Sequence, residues 1–134
     1  MATLRPLGDT GLSPRAAAVF ADIRATRGSD FVNNFWRSLA AADDALLERV
    51  WGQVKAVMAA PGALEPLTRE MLYVAVSVAN GCAYCVHSHT AAARARGMTP
   101  EMEAELLAII ALAGQTNALA TALGVPIDAE FDAG

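Results

Sequence analysis

Thiols, imidazoles and lysines are scarce in this 134-residue chain: two cysteines, two histidines and one lysine, Lys55. Two cysteines, at positions 82 and 85, cannot build a disulfide framework. The other basic residues are nine arginines scattered singly, and the net charge is −4. A nucleic-acid footprint needs clustered basic residues, so that class of partner is excluded. The acidic balance bears on solubility and on little else. No stretch of 18 apolar residues is free of both charge and turn residues, so no membrane span is expected. Met1 to Phe20 has no continuous apolar run of the kind a signal peptide carries, which sets the expectation of a cytoplasmic protein. No alternating β-branched run occurs, so no sheet is expected.

What remains reads as an all-α chain with Pro and Gly at its boundaries. At this length one domain is expected, over residues 13–134, preceded by a flexible N-terminal arm at 1–12. Ser13-Pro14 caps and opens a helix over about 15–27, closed near Gly28. Asp30 is expected to cap a short helix carrying Phe31, Phe35, Trp36 and Leu39. Asp43 or Asp44 caps the next, running to about Ala60 with Leu46, Leu47, Val50, Val54 and Val57 on one stripe. Pro66 opens a helix through about Ala79, which Asn80-Gly81 ends. Another runs from near Cys82 to Gly97. Thr99-Pro100-Glu101 starts the last helix, or a kinked pair, reaching Leu123 before Gly124 and Pro126. The composition is 54% apolar. A domain this small has a high surface-to-volume ratio, so some of that apolar surface is expected to face a partner subunit.

The chemistry concentrates in one segment. Both cysteines and both histidines lie within Cys82-Ala83-Tyr84-Cys85-Val86-His87-Ser88-His89. In a helix starting near Cys82, residues Cys82, Cys85 and His89 share one stripe, while His87 points elsewhere. A thiol at a helix N-terminus ionises more readily, and the thiolate is the reactive form. A histidine four residues on can take a proton from Cys85, directly or through one water, and a carboxylate behind it would orient it. Glu70 lies mid-way along the preceding helix, on a stripe with Tyr73 and Ser77. The tight Asn-Gly turn would make the two helices antiparallel neighbours and bring Glu70 back toward His89. Once Cys85 is oxidised to sulfenic acid, Cys82 can condense with it to a disulfide. The competing reading is zinc, which in a structural site takes four protein ligands. Here Glu70 or the off-face His87 would have to serve beside Cys82, Cys85 and His89. Inert buried thiols are the third reading. Tyr84, Phe35, Trp36 and the Met71, Met98 and Met102 set read as packing.

Glu70, eleven residues, then Cys82-x-x-Cys85-x-x-x-His89 closely resembles the alkylhydroperoxidase AhpD family, within the carboxymuconolactone decarboxylase-like superfamily. Asn33-Asn34-Phe35-Trp36 and Thr116-Asn117-Ala118-Leu119 resemble it as well, so the likeness spans about residues 31–125. The resemblance implies an all-α helical domain, an orthogonal helix bundle, assembling as trimers or hexamers. It implies hydroperoxide reduction without metal, flavin or haem. Cys85 matches the peroxidatic cysteine, Cys82 the resolving one, and Glu70 and His89 a proton relay. The implied partners are a hydroperoxide and a dithiol reductant, lipoyl-type or thioredoxin-like. The sequence departs from AhpD at Tyr84, where that protein has a histidine between the cysteines. Two rival functions stand beside this one: a carboxymuconolactone decarboxylase-like enzyme, and a redox-sensing dithiol module without turnover.

Overall fold

The computed structural model describes residues 3–132. Among them are six α-helices and no strand. The helices are α1 (Pro14–Arg27), α2 (Asn34–Ala42), α3 (Asp44–Val54), α4 (Pro66–Ala79), α5 (Ala83–Ala95) and α6 (Pro100–Leu123). A π-helical turn, Lys55–Ala59, extends α3, and a 3-10 turn, Ala129–Asp132, follows α6. Within the range expected as one domain, the chain divides into two compact units, residues 1–63 and 64–134.

The first unit is built by local caps and a bulky core. Ser13 Oγ accepts the Ala16 N–H, and Pro14 occupies the first turn of α1. Gly28, at φ 63°, closes that helix in the left-handed region where glycine costs least. Helix α2 is capped by Asn33, whose Oδ1 accepts the Trp36 N–H, and not by Asp30 as the sequence suggested. The Asp30 carbonyl instead accepts Arg24 Nε–H at 2.9 Å, which ties that stretch down as loop. Phe31 therefore precedes the helix and is exposed. Ala16, Val19, Phe20 and Ile23 of α1 meet Val32, Trp36, Leu47 and Trp51 in the core. Of the segment expected as an arm, Met1 and Ala2 lie outside the described residues. The rest carries contacts: Leu7 N–H donates to the Arg37 carbonyl, and Asp9 Oδ1 pairs with Arg24 and Arg37 at 2.9 and 3.0 Å.

The second unit holds the cysteine segment. Helices α4 and α5 pack on each other, and α6 packs on α4. Asn80 caps the end of α4, and Gly81, at φ 68°, makes the reversal that a side chain would strain. The core here is thin: Val74, Ala93, Met98 and Leu106, flanked by Leu67, Met71 and Ile110. Helix α6 is one unbroken 24-residue helix. Its apolar residues Leu107, Ile109, Leu112, Leu119 and Leu123 are exposed. By length and composition alone α6 is long and apolar enough to cross a membrane, where the sequence led to the expectation of no span. Its first turns belong to the unit's own packing. Leu106 is buried, and Glu103 grips the Arg94 guanidinium of α5 at 2.6 and 2.9 Å.

Candidate active site

Glu70 and Ser77 are the buried polar side chains of the described residues, at 5% and 4% exposure. Burying a carboxylate is costly unless it is paired. Glu70 is paired on both oxygens. His89 Nδ1 lies 2.7 Å from Glu70 Oε2, and Arg96 Nε lies 3.4 Å from Oε1. An ionised carboxylate only accepts, so Nδ1 carries the hydrogen and donates it, which leaves Nε2 of His89 as the basic nitrogen. Tyr73, one turn on from Glu70, stacks on the His89 ring with centroids 3.7 Å apart and planes 20° apart. Ser77, a further turn along, donates its hydroxyl to the Tyr73 carbonyl at 2.7 Å. The stripe of Glu70, Tyr73 and Ser77 thus faces α5, and Glu70 does return to His89 across the Asn80-Gly81 turn.

On α5, Cys82 is the N-cap residue. Its Sγ accepts the Cys85 N–H at 3.3 Å, an orphan amide that a serine or aspartate more often satisfies. Cys82 N–H in turn donates to the Ser77 carbonyl at 2.9 Å. Both cysteines are free thiols and half-buried. Their environments push them apart. Cys82 is lowered from the usual thiol value by the hydrogen bond from the Cys85 thiol, then by the Cys85 and Tyr84 amides. Cys85 is pushed up to about 11 by burial, by the hydrogen bond it donates to Cys82 and by the charge there. The two titrate as a coupled pair, with Cys82 shifted down and Cys85 shifted up. His89 lies one turn from Cys85 on the same face of α5. His87 is exposed.

Among the described residues no group of three or more His, Cys, Asp or Glu side chains is arranged to hold a metal ion. Two contributors escaped the sequence reading of the site. Arg96 is seven residues beyond His89 and so on its stripe, a spacing that could have flagged it. Tyr73 shares the α4 stripe of Glu70, but nothing in the sequence specifies ring stacking.

Comparison with known proteins fits this geometry. The model of the "Carboxymuconolactone decarboxylase family" matches residues 44–128, a span that includes Glu70, Cys82, Cys85 and His89. The chain belongs to that family, and it is AhpD-like. Its fold matches the crystal structure of the alkylhydroperoxidase AhpD core from Rhodospirillum rubrum with a TM-score of 0.96. The two are 65% identical, over 100% of this chain and 99% of that one. The alkyl hydroperoxide reductase AhpD of Mycobacteroides abscessus is 38% identical over 90 residues, 66% of this chain and 51% of that protein. This AhpD-like chain thus aligns with only about half the length of that relative. The "uncharacterized protein 4 in cox locus" of Paracoccus denitrificans is 34% identical over 91 residues, 68% of this chain and 78% of that protein.

Proposed function

We propose that this chain is a thiol-dependent alkylhydroperoxide reductase. The observation that carries the reading is the Glu70–His89 pair, 2.7 Å apart, in which Glu70 reaches from α4 to a His89 one turn beyond the Cys-x-x-Cys pair on α5. The names of the Rhodospirillum and Mycobacteroides relatives agree with it.

The chemistry takes two proton-coupled steps. The Cys85 proton passes to His89, and the Cys85 sulfur attacks the terminal oxygen of the hydroperoxide. The O–O bond breaks, and the departing alkoxide takes the proton from His89 and leaves as the alcohol. Cys85 is left as a sulfenic acid. Cys82, already the more acidic thiol, attacks the Cys85 sulfur as thiolate. Hydroxide leaves, gains a proton from solvent and becomes water, and the Cys82–Cys85 disulfide forms. The two sulfurs have supplied the two electrons that reduce the peroxide. An external dithiol then attacks the disulfide, passes through a mixed disulfide, and leaves oxidised while both cysteines are again reduced. Glu70 holds His89 in the tautomer that can accept and return the proton. No metal, flavin or haem takes part.

The reductant in this reading is a lipoyl-type or thioredoxin-like dithiol, and the setting is the cytoplasm, where thiols stay reduced. The protein works as a homo-oligomer, which the residues Leu107, Ile109, Leu112 and Leu119 exposed on α6 and Leu72 and Val76 exposed on α4 support, and the family resemblance implies a trimer or hexamer. A light-scattering mass of one chain at micromolar concentration would rule the oligomer out. The activity is tested by following tert-butyl hydroperoxide consumption with dihydrolipoamide, thioredoxin and glutathione in turn. Sustained turnover with a dithiol supports the reading. A single stoichiometric oxidation with every reductant would make the chain a redox-sensing module instead.

A further inference from the structure

We propose that Arg96 is a positioning residue of this site: by pairing with Glu70 Oε1 it fixes the carboxylate whose other oxygen holds His89. Its kinetic consequence rests on the peroxidase reading; its structural consequence does not.

A buried carboxylate needs a partner for its charge. Glu70 is 5% exposed, so water does not compensate its charge. His89 engages Oε2, and a neutral imidazole supplies a hydrogen bond but no positive charge. Arg96 brings a positive charge to Glu70, with Nε 3.4 Å from Oε1. It is the C-cap residue of α5, where a positive charge also suits the helix dipole. Cys82, Cys85, His89 and Arg96 then run along one stripe of α5, with Glu70 reaching across from α4 to the last two. The other arginine nearby does something different: Arg94 points to α6 and binds both oxygens of Glu103. Two arginines, two positions apart, therefore serve two carboxylates. Arg94 joins helices, and Arg96 closes the chain Arg96–Glu70–His89.

With both oxygens engaged, the Glu70 carboxylate cannot swing about its last torsion without losing one partner. That holds Oε2 on His89 Nδ1, so that in the neutral ring Nε2 is the nitrogen left to accept a proton. Without Arg96 the buried carboxylate loses its compensating charge, and the hydrogen-bonded tautomer of His89 is no longer enforced. The Arg96 side chain is 40% exposed, so solvent screens its charge and the effect is moderate.

The test compares wild type with Arg96→Gln, Arg96→Lys, Arg94→Gln, Glu70→Gln and the double variant Glu70→Gln/Arg96→Gln. Two measurements are made on each folded protein. The first is the histidine ring 15N–1H spectrum, which is simple because the chain has only His87 and His89. The second is the rate of thiol loss in a single turnover with tert-butyl hydroperoxide. Arg96→Gln should broaden or shift the His89 Nδ1–H signal and slow oxidation about three- to tenfold. Arg96→Lys should restore most of both, and Arg94→Gln should change neither. In the Glu70→Gln background, Arg96→Gln should add nothing further. An unchanged His89 signal in Arg96→Gln overturns the proposal, as does a rate loss that simply adds to that of Glu70→Gln. A shifted signal with an unchanged rate overturns the role in the reaction. If wild type itself does not react with the peroxide, the peroxidase reading fails, and the His89 signal alone decides the place of Arg96. Should Arg96→Gln fail to fold, Arg96→Met keeps the aliphatic stem and must show the same two losses.

Discussion

The two compact units of this chain spend their side chains differently. Residues 1–63 bury Phe20, Ile23, Trp36, Leu47 and Trp51, and dress that core with surface ion pairs such as Asp9 with Arg24 and Arg37. Trp51 Nε1–H donates to Asp22, which Lys55 also holds. Residues 64–134 bury little that is large, place a carboxylate inside, and leave the apolar face of α6 outside. The first unit is organised for packing. The second keeps a paired charge and two thiols half out of water, and puts its apolar surface where another subunit could cover it. The contrast separates stability from chemistry along the chain, and it can be broken or sharpened by experiment.

The largest effect belongs to the first unit. Phe20 is fully buried, and Phe20→Ala should cost about 3–5 kcal/mol in denaturant unfolding. In protein that remains folded, the rate of peroxide-driven thiol loss should be unchanged. A rate that falls with this substitution would show that the thiol site depends on the first core.

Next come the groups that handle protons. Glu70→Gln and His89→Ala should each slow Cys85 oxidation at neutral pH by roughly 100-fold, the lower end of what general acid–base catalysis supplies. The loss should shrink at high pH, where Cys85 no longer needs a base. Equal slowing at neutral and high pH would remove the relay.

The smallest effect is on stability in alkali. Cys85 is pushed up to about 11 in the fold, from an ordinary thiol value of 9.0. Between those values the unfolded chain has released a proton that the folded chain still holds. The unfolded state then binds fewer protons, so stability falls as pH rises from about 9 to about 11. Cys85→Ser should flatten that slope. In Cys82→Ser the Cys85 thiolate should form at lower pH, because the hydrogen bond and the charge of Cys82 are two of the three causes of its rise. An unaltered slope in Cys85→Ser would place the alkaline loss elsewhere.

Much of this was legible in the sequence, and the reason is locality. Ser13-Pro14, Gly28, Pro66 and Asn80-Gly81 act on their own few residues, so α1 and α4 begin and end where those signals lie. The cysteine and histidine spacing likewise fixes a stripe once a helix is granted. What was missed depends on distant partners. Asp30 is an adequate cap by type, but Arg24 claims its carbonyl, and Asn33 takes the role. The π-helical turn at Lys55–Ala59 has no breaker residue to announce it. The last helix could be read as a kinked pair, yet a Cβ added at Gly114 would meet nothing within 4 Å, and the helix runs through. Arg96 carried a spacing but no partner until α4 was in place. The order of acidity within the thiol pair was half legible. Cys82 at the helix start was expected to ionise readily, but the rise of Cys85 comes from burial and from Cys82 itself.

The central claim is that the pair divides its labour, with Cys85 taking the peroxide oxygen and Cys82 closing the disulfide. The most direct measurement is the site of dimedone labelling after one equivalent of tert-butyl hydroperoxide, read by peptide mass in Cys82→Ser and in Cys85→Ser. The account predicts a dimedone adduct on Cys85 in the first protein and no peroxide consumption by the second. An adduct on Cys82 in Cys85→Ser, with none on Cys85 in Cys82→Ser, would contradict it and make the more acidic thiol the attacking one.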